Sequence, residues 1–348
     1  MTTASCVPSE RSESESTRPE DVSASGILAS GEVRGVDLGT LGGCCSVAAA
    51  INDLGQVVGW STTAGGATHA FVWDDGTMTD IGTLGSSYSA AFGINDAGRI
   101  VGVSRGPGGV RAFLWHGGVM TDLGGPPPGT FSTATAINER GWITGASGQR
   151  GRSAATLWQD GTPKVLLPPE ATSGSASDVN DAGQVVGFVE SHGRRAFVWS
   201  DGILTVLAHP NDEGDSQALG INEGGQIVGR SRTQGSRAFA VLWEGGMPIA
   251  LEIADAPGSE AVAIDDDGRI VGRRITGDGH SRAFVWHDGM TLDLATLGGT
   301  YSRAADINDS GQVVGSSTDG AGFERATMWV LPESGPGKAS DPRRRGPR

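Results

Sequence analysis

Little in this chain could staple or ligate a small domain. Its three cysteines, Cys6, Cys44 and Cys45, make no disulfide framework. The adjacent pair Cys44-Cys45 fills a slot that reads Ser87-Tyr88 and Thr300-Tyr301 elsewhere, and it reads as tolerated small residues in a loop. No CxxC, HExxH or histidine-rich spacing occurs, so neither a structural metal nor a cofactor is implied. Charged residues reach only 19% of the sequence, against about a quarter in ordinary domains. Basic residues are the scarcer sign: the net charge of −14 argues against a nucleic-acid backbone as the main partner. No apolar run approaches the roughly 20 residues of a membrane span, so no transmembrane segment is expected.

What the chain does have is glycine and repetition. Its 57 glycines are about twice the usual share of roughly 7%, which marks a chain rich in turns, with Val, Ile, Phe and Trp as β-formers between them. A phrase of the form S-x-A-x-x-I-N-[DE]-x-G-x-h-h-G, h being mostly Val or Ile, starts its Ile/Val at 51, 94, 137, 179, 221, 264 and 307, in steps of 43, 43, 42, 42, 43 and 43 residues. Each copy is followed by a tryptophan, as in HAFVW or RAFLW: Trp73, Trp115, Trp158, Trp199, Trp243, Trp286 and Trp329. A period of this size is the mark of a repeat architecture.

Each unit divides into four short strands, SxAxxIN, QVVGxS, AFVW and MTDIGTL, which with their loops leave no room for a helix. In GINDAGRIVG, residues 93–102, Asn95 and Asp96 suit the opening of a turn, and Gly98 supplies the positive φ that closes it. A calcium loop would need alternating ligands and a terminal glutamate that N-D-x-G lacks. Gly102, inside a strand pattern, marks a bulge or a close backbone approach. Each tryptophan buries roughly 150–250 Å², which a lone four-stranded sheet cannot cover, so the sheets must pack on one another.

The chain ends decide between ring and open stack. The last unit stops after RATMWVLPE without its fourth strand, and residues 32–43, EVRGVDLGTLGG, match that missing strand. The expected fold is therefore all-β: a seven-bladed β-propeller of four-stranded antiparallel blades over residues 32–331, closed by the N-terminal strand completing the last blade, with short protected edges. Residues 1–31, rich in Ser and Glu, and 332–348, a basic tail, have the composition of disorder.

The LGTLGG…S.A..IND.GQVVG……HAFVW pattern resembles the bacterial HAF-repeat proteins, named for the motif standing here as His69-Ala70-Phe71. The resemblance covers residues 32–331 and implies an extracellular or cell-surface location more than a chemistry. The histidine occurs only in the first unit, where others carry Arg111, Arg195, Arg282 or Arg325, so it is no shared catalytic group. No export signal follows Met1 in the chain as given, which leaves a cytoplasmic location as the alternative. The opening Ala4-Ser5-Cys6 is similar to the end of a lipoprotein signal, making Cys6 a candidate lipid anchor if the true start lies upstream.

Comparison among the units locates a candidate site. The N-D-x-G turns and the third-to-fourth turns are nearly constant, whereas the second-to-third loops and the links between units vary. In an up-and-down blade both variable sets emerge on one face, and loops on a rigid scaffold are where recognition lives. Three features mark that face. Serines precede six of the seven Ile/Val starts by five residues, Gly174 being the exception, among them Ser89, Ser132 and Ser302. Their hydroxyls either ring the channel or satisfy backbone groups where a strand begins. Tyr88, Phe131 and Tyr301 precede three of these serines, for stacking on sugars or for packing between blades. Gln217, Glu260 and Arg303 take one equivalent position in consecutive units, as a ligand site or as an interblade Glu260–Arg303 ion pair. No nucleophile elbow or marked carboxylate pair appears. Two readings follow: a non-catalytic, monomeric scaffold binding a glycan or protein on the variable face, and a glycan hydrolase or lyase at the channel mouth of that face, the first being preferred.

Overall fold

The computed structural model describes residues 33–106, 108–126, 130–149, 152–210, 214–233, 235 and 237–332. Cys6, the N-terminal 1–31 and all of the basic tail beyond Pro332 lie outside the described residues. Within them are 28 strands and no helix, arranged as seven four-stranded antiparallel sheets. In the second blade the strands are Ser89–Ile94, Ile100–Gly106, Gly109–His116 and Val119–Asp122, hydrogen-bonded in that order, and the others follow the same plan. First strands touch the first strands of both neighbours all the way round, so the sheets form a closed seven-bladed propeller.

Closure comes from the chain ends, as the sequence requires. Gly298–Ile307, Gln312–Asp319 and Glu324–Val330 form three strands of the seventh blade, and Gly35–Asp37 supplies the fourth. Gly35 lies opposite Trp329, Val36 opposite Met328 and Asp37 opposite Thr327, after which the Leu38 N–H donates to Ala326 O. The first blade then begins at Gly42. Fourth strands are shorter than the MTDIGTL phrase suggests, ending at Asp80 in blade 1. The reason is local: the Asp80 carboxylate accepts the Gly82 N–H at 2.8 Å, and Gly82 turns the chain with φ +81°. Cys44 and Cys45 also differ from expectation, standing in the first strand of blade 1 instead of a loop, where the Cys45 N–H donates to Thr62 Oγ1.

Seven apolar clusters lie between the sheets, one at each junction. Trp73, for example, packs with Phe71 of its own blade against Val314, Ala326 and Met328 of blade 7. Five of the seven repeated tryptophans are buried, and Trp115 and Trp286 are half-buried. Each sheet thus supplies the opposing layer that its neighbour lacks, at about 25 cal/mol per Å² of apolar surface covered.

Candidate functional site

The two ends of the propeller differ in kind. At one end stand the N-[DE]-x-G turns, built as the sequence predicts: the Arg99 N–H donates to Asn95 Oδ1, the Gly98 N–H to Asn95 O, and Gly98 has φ +68°. The structure adds a belt that no single unit reveals. The backbone N–H of each acidic turn residue donates to the carboxylate of its counterpart in the next blade, from Asp53 to Asp96 (3.0 Å) and Asp96 to Glu139 (2.8 Å), and so on. Asp309 to Asp53 (3.1 Å) closes the circle. Beside it the asparagines donate from Nδ2 to the next turn's carbonyl, as Asn52 does to Asn95 O. Asp265, which stands where the other six turns carry an asparagine, has no amide to give. Arg269 bonds its carboxylate and donates from Nη2 to Asp309 O, one residue beyond the Asn308 carbonyl that the missing amide would reach.

Two half-buried carboxylates sit just inside this end. Asp178 accepts the N–H groups of Val179 and of Ile221 in the next blade, and Asp306 those of Ile307 and of Ile51. Burial pushes Asp306 up to about 7, with the neighbouring Asp178 adding to the rise. A carboxyl whose folded pKa lies above its unfolded one stabilises the fold in acid and loses that contribution as pH climbs from about 4 to about 7. At about 1.4 kcal/mol per unit the swing is about 4 kcal/mol at most, less to the extent that channel water screens the charge. We expect the thermal midpoint to be higher at pH 5 than at pH 8, and Asp306→Ala, which copies Ala50 and Ala136 of other blades, to flatten the slope. Parallel pH profiles for the two proteins would remove Asp306 as the cause.

At the opposite end the variable loops and the interblade links come together, as expected: the Thr68 N–H donates to Ser87 O and the Arg105 N–H to Tyr88 O. The serines are fully engaged there. Ser89 Oγ accepts the Ala70 N–H of the preceding blade at 2.8 Å and donates to Gly82 O; Ser132 accepts from Ala112, and Ser302 from Ala283. All three are buried. They are rivets between blades, and Ser46, accepting from Ala326, is the rivet of the closing junction. Tyr88 is half-buried with the Arg105 guanidinium 5.1 Å from its ring centre, and Phe131 is half-buried at the start of blade 3. Tyr301 stands in the first strand of blade 7, and burial raises its phenol above the ordinary value.

The polar sector is real, but its wiring differs from the expected Glu260–Arg303 pair. Glu260 bonds Arg230 Nη1 of blade 5 at 3.1 Å and Arg273 Nε of its own blade at 3.0 Å. Arg303 instead bonds Ser316 Oγ, with Glu324 beyond. Cross-strand pairing is the cause, because Gln217 stands opposite Arg230, Glu260 opposite Arg273 and Arg303 opposite Ser316. Gln217 Oε1 then accepts from Arg230 at 3.1 Å and from Arg194 at 3.4 Å. The fold therefore joins Gln217 and Glu260 through Arg230, while Tyr88 and Phe131 stand apart in blades 2 and 3.

Two cavities open on this sector. One, about 510 Å³, lies between blades 4 and 5 and is lined by Glu190, Arg194, Asp215, Gln217, Arg230 and Arg232 among others. The other, about 380 Å³, lies between blades 5 and 6, where Arg230, Arg232, Arg237 and Arg273 face Glu260. Sequence reasoning passed over these arginines. The signal lay in the residue after the second glycine, which reads Trp60, Val103, Ala146, Phe188, Arg230, Arg273 and Ser316 through the seven units.

A chain of the Mitotic Checkpoint Complex covers 94% of this chain and is itself 99% covered, with TM-score 0.54 and 10% identity. A Mycobacterium tuberculosis puromycin-hydrolyzing peptidase matches 80% of this chain with TM-score 0.53 and 14% identity, and the present chain spans 50% of that peptidase's length. The β-propeller domain of the Trilobed protease from Pyrococcus furiosus, described as having an open velcro topology, matches 70% of this chain and is 82% covered, with TM-score 0.52 and 13% identity. No family model matches the chain, and no curated protein matches it in sequence. Likeness at such identities extends to the propeller fold alone. In contrast to the open topology of the Pyrococcus domain, the present ring is shut by the Gly35–Asp37 strand. Among the described residues, no helix is long and apolar enough to cross a membrane.

Proposed function

We propose that this propeller is a non-catalytic binding module of the HAF-repeat kind, working outside the cell or at its surface, which holds a glycan or protein ligand on its variable end. The observation that carries this reading is the pair of cavities sharing the Arg230–Arg232 wall, set in a sector of the variable end where the sevenfold pattern is broken by charge. Their volumes fall in the roughly 300–1,000 Å³ range of ligand pockets. Binding is favoured over turnover by the state of the carboxylates that line them. Hydrogen bonding to Arg194 holds Glu190 below the usual carboxylate range, Arg232 does the same for Asp215, and Glu260 lies within 3.1 Å of two guanidinium groups. A glycan hydrolase or lyase at this end would need a carboxyl free to give up and recover a proton.

The test is a screen of glycan and protein ligands against the native chain, Arg230→Ala, and Asp53→Asn in the belt at the far end. We expect at least one ligand to be held equally by the native chain and the belt variant and to weaken tenfold or more with Arg230→Ala. Ligands indifferent to Arg230→Ala, or lost equally with Asp53→Asn, would displace the site from the variable end.

A further inference from the structure

We propose that the two adjoining cavities take an acidic glycan, with one carboxylated sugar in the cleft between blades 5 and 6 and the next in the cleft between blades 4 and 5. The inference rests on the reading of the variable end as a binding face and adds the chemical class of the ligand. Its ground is a local reversal of charge. In a chain of net charge −14, the smaller cleft sets four guanidinium groups against the single carboxylate of Glu260.

Donor bookkeeping shows what those groups have left to offer. A guanidinium carries five N–H donors and accepts nothing. Arg230 is committed through Nη1 to Glu260 and through Nη2 to Gln217. Arg273 reaches Glu260 through Nε, which leaves its two terminal nitrogens for an incoming group. Arg232 pairs with Asp215 through Nη2 yet keeps 57% of its side chain exposed. Arg237 is exposed and, among the described residues, makes no ion pair or hydrogen bond. Forked donors of this kind match the two oxygens of a carboxylate. Glu260 holds the Arg230 and Arg273 side chains in place before any ligand arrives.

Two further observations select a glycan among anions. The clefts share the Arg230–Arg232 wall, so a ligand that repeats its charge from unit to unit meets both, whereas an isolated ion needs only one. Of the strands bordering the clefts, Ile227–Arg232 and Ile270–Ile275, which carry the arginines, are paired on both sides, and the Ala196 and Ala240 N–H groups are taken by Ser216 and Ser259. A peptide that docks by adding main-chain bonds finds no open ladder on those two strands. Recognition falls to side chains, and Gln217 with the hydroxyl of Ser191 in the larger cleft suits a ring bearing hydroxyls.

The experiment is calorimetric titration of the full chain, Arg237→Ala, Arg237→Ala/Arg273→Ala and Arg230→Ala with an oligogalacturonate, its methyl-esterified neutral form, sodium sulfate and a polyglutamate peptide. The expected result is binding of the acidic oligomer alone, weakened by rising salt, by about tenfold in Arg237→Ala and about a hundredfold in the double variant, consistent with the usual worth of charge-assisted bonds. Arg237 is exposed and has no ion pair among the described residues, so its replacement is expected to leave the fold in place, which circular dichroism of each variant checks. Equal binding of the neutral oligomer, displacement by equimolar sulfate, tighter binding of polyglutamate, or acidic-oligomer binding untouched by the double variant would each overturn the assignment. If the acidic oligomer fails to bind while another ligand is still lost in Arg230→Ala, the acidic-glycan inference falls and the binding-face reading stands. If nothing tested is sensitive to Arg230→Ala, both fall.

Discussion

Gly272→Ala is expected to destabilise the propeller by about 3 kcal/mol or more, at or above the upper end of what overpacking usually costs. A Cβ at this position would stand 1.9 Å from Glu260 O, 3.0 Å from Glu260 C and 3.1 Å from Ala261 Cα, all of them backbone atoms that cannot swing aside. The crowding follows from the bulge between Ala261 and Ala263 in the first strand, which drives the chain toward Gly272 on the second. The same approach recurs at Gly59, where Val47 O lies 1.9 Å from the ideal Cβ position, so Gly59→Ala should behave alike. Gly277→Ala is the matched control, since nothing lies within 4 Å of its Cβ position, and its effect should stay within about 0.5 kcal/mol. Chemical denaturation of the three variants checks the point. Equal midpoints for Gly272→Ala and Gly277→Ala would mean that the bulged strand yields freely.

Trp329→Ala should cost about 3–5 kcal/mol, the usual price of removing a fully buried aromatic side chain. Trp329 is wholly buried, packs with Val33, Leu294 and Val313, and donates its indole N–H to Ala295 O at 2.8 Å. Deleting it leaves a void at the junction of blades 6 and 7 and an unpaired carbonyl, on the very strand that receives Gly35–Asp37. Trp115, half-buried between other blades, should cost distinctly less when changed to Ala. Amide exchange over residues 35–38 adds a local reading, because loss of Trp329 should speed it more than loss of Trp115. Indistinguishable denaturation midpoints for Trp115→Ala and Trp329→Ala would remove the special standing of the closing blade.

These effects were legible in the sequence to different depths. The bulge glycine and the tryptophan anchor repeat in register, so one unit's pattern is checked by six others, and the missing fourth strand made closure readable from residues 32–43. The serine rivets were half legible. Their need for backbone partners was evident, but the partner lies in the preceding blade, 19 residues back from Ser89 at Ala70, and only packing brings the two together. The charged sector was the least legible part. Glu260 announced itself by breaking the repeat, whereas its partners follow from pairing register: counting outward from the N-D-x-G turn, with one residue lost to the bulge, sets Glu260 opposite Arg273. Arg230 reaches Glu260 only across the blade boundary, which no count within a unit supplies.

The carboxylate belt has a consequence for how such a molecule changes over generations. Every joint in it takes its donor from one repeat and its acceptor from the next, so adjacent repeats meet through nearly the same joinery wherever they stand. Duplicating or excising a whole segment of 43 residues would leave each seam chemically intact and alter only the curvature of the circle. The exception is the Asp265–Arg269 seam, where an arginine instead of an asparagine amide reaches from the sixth repeat to a carbonyl of the seventh.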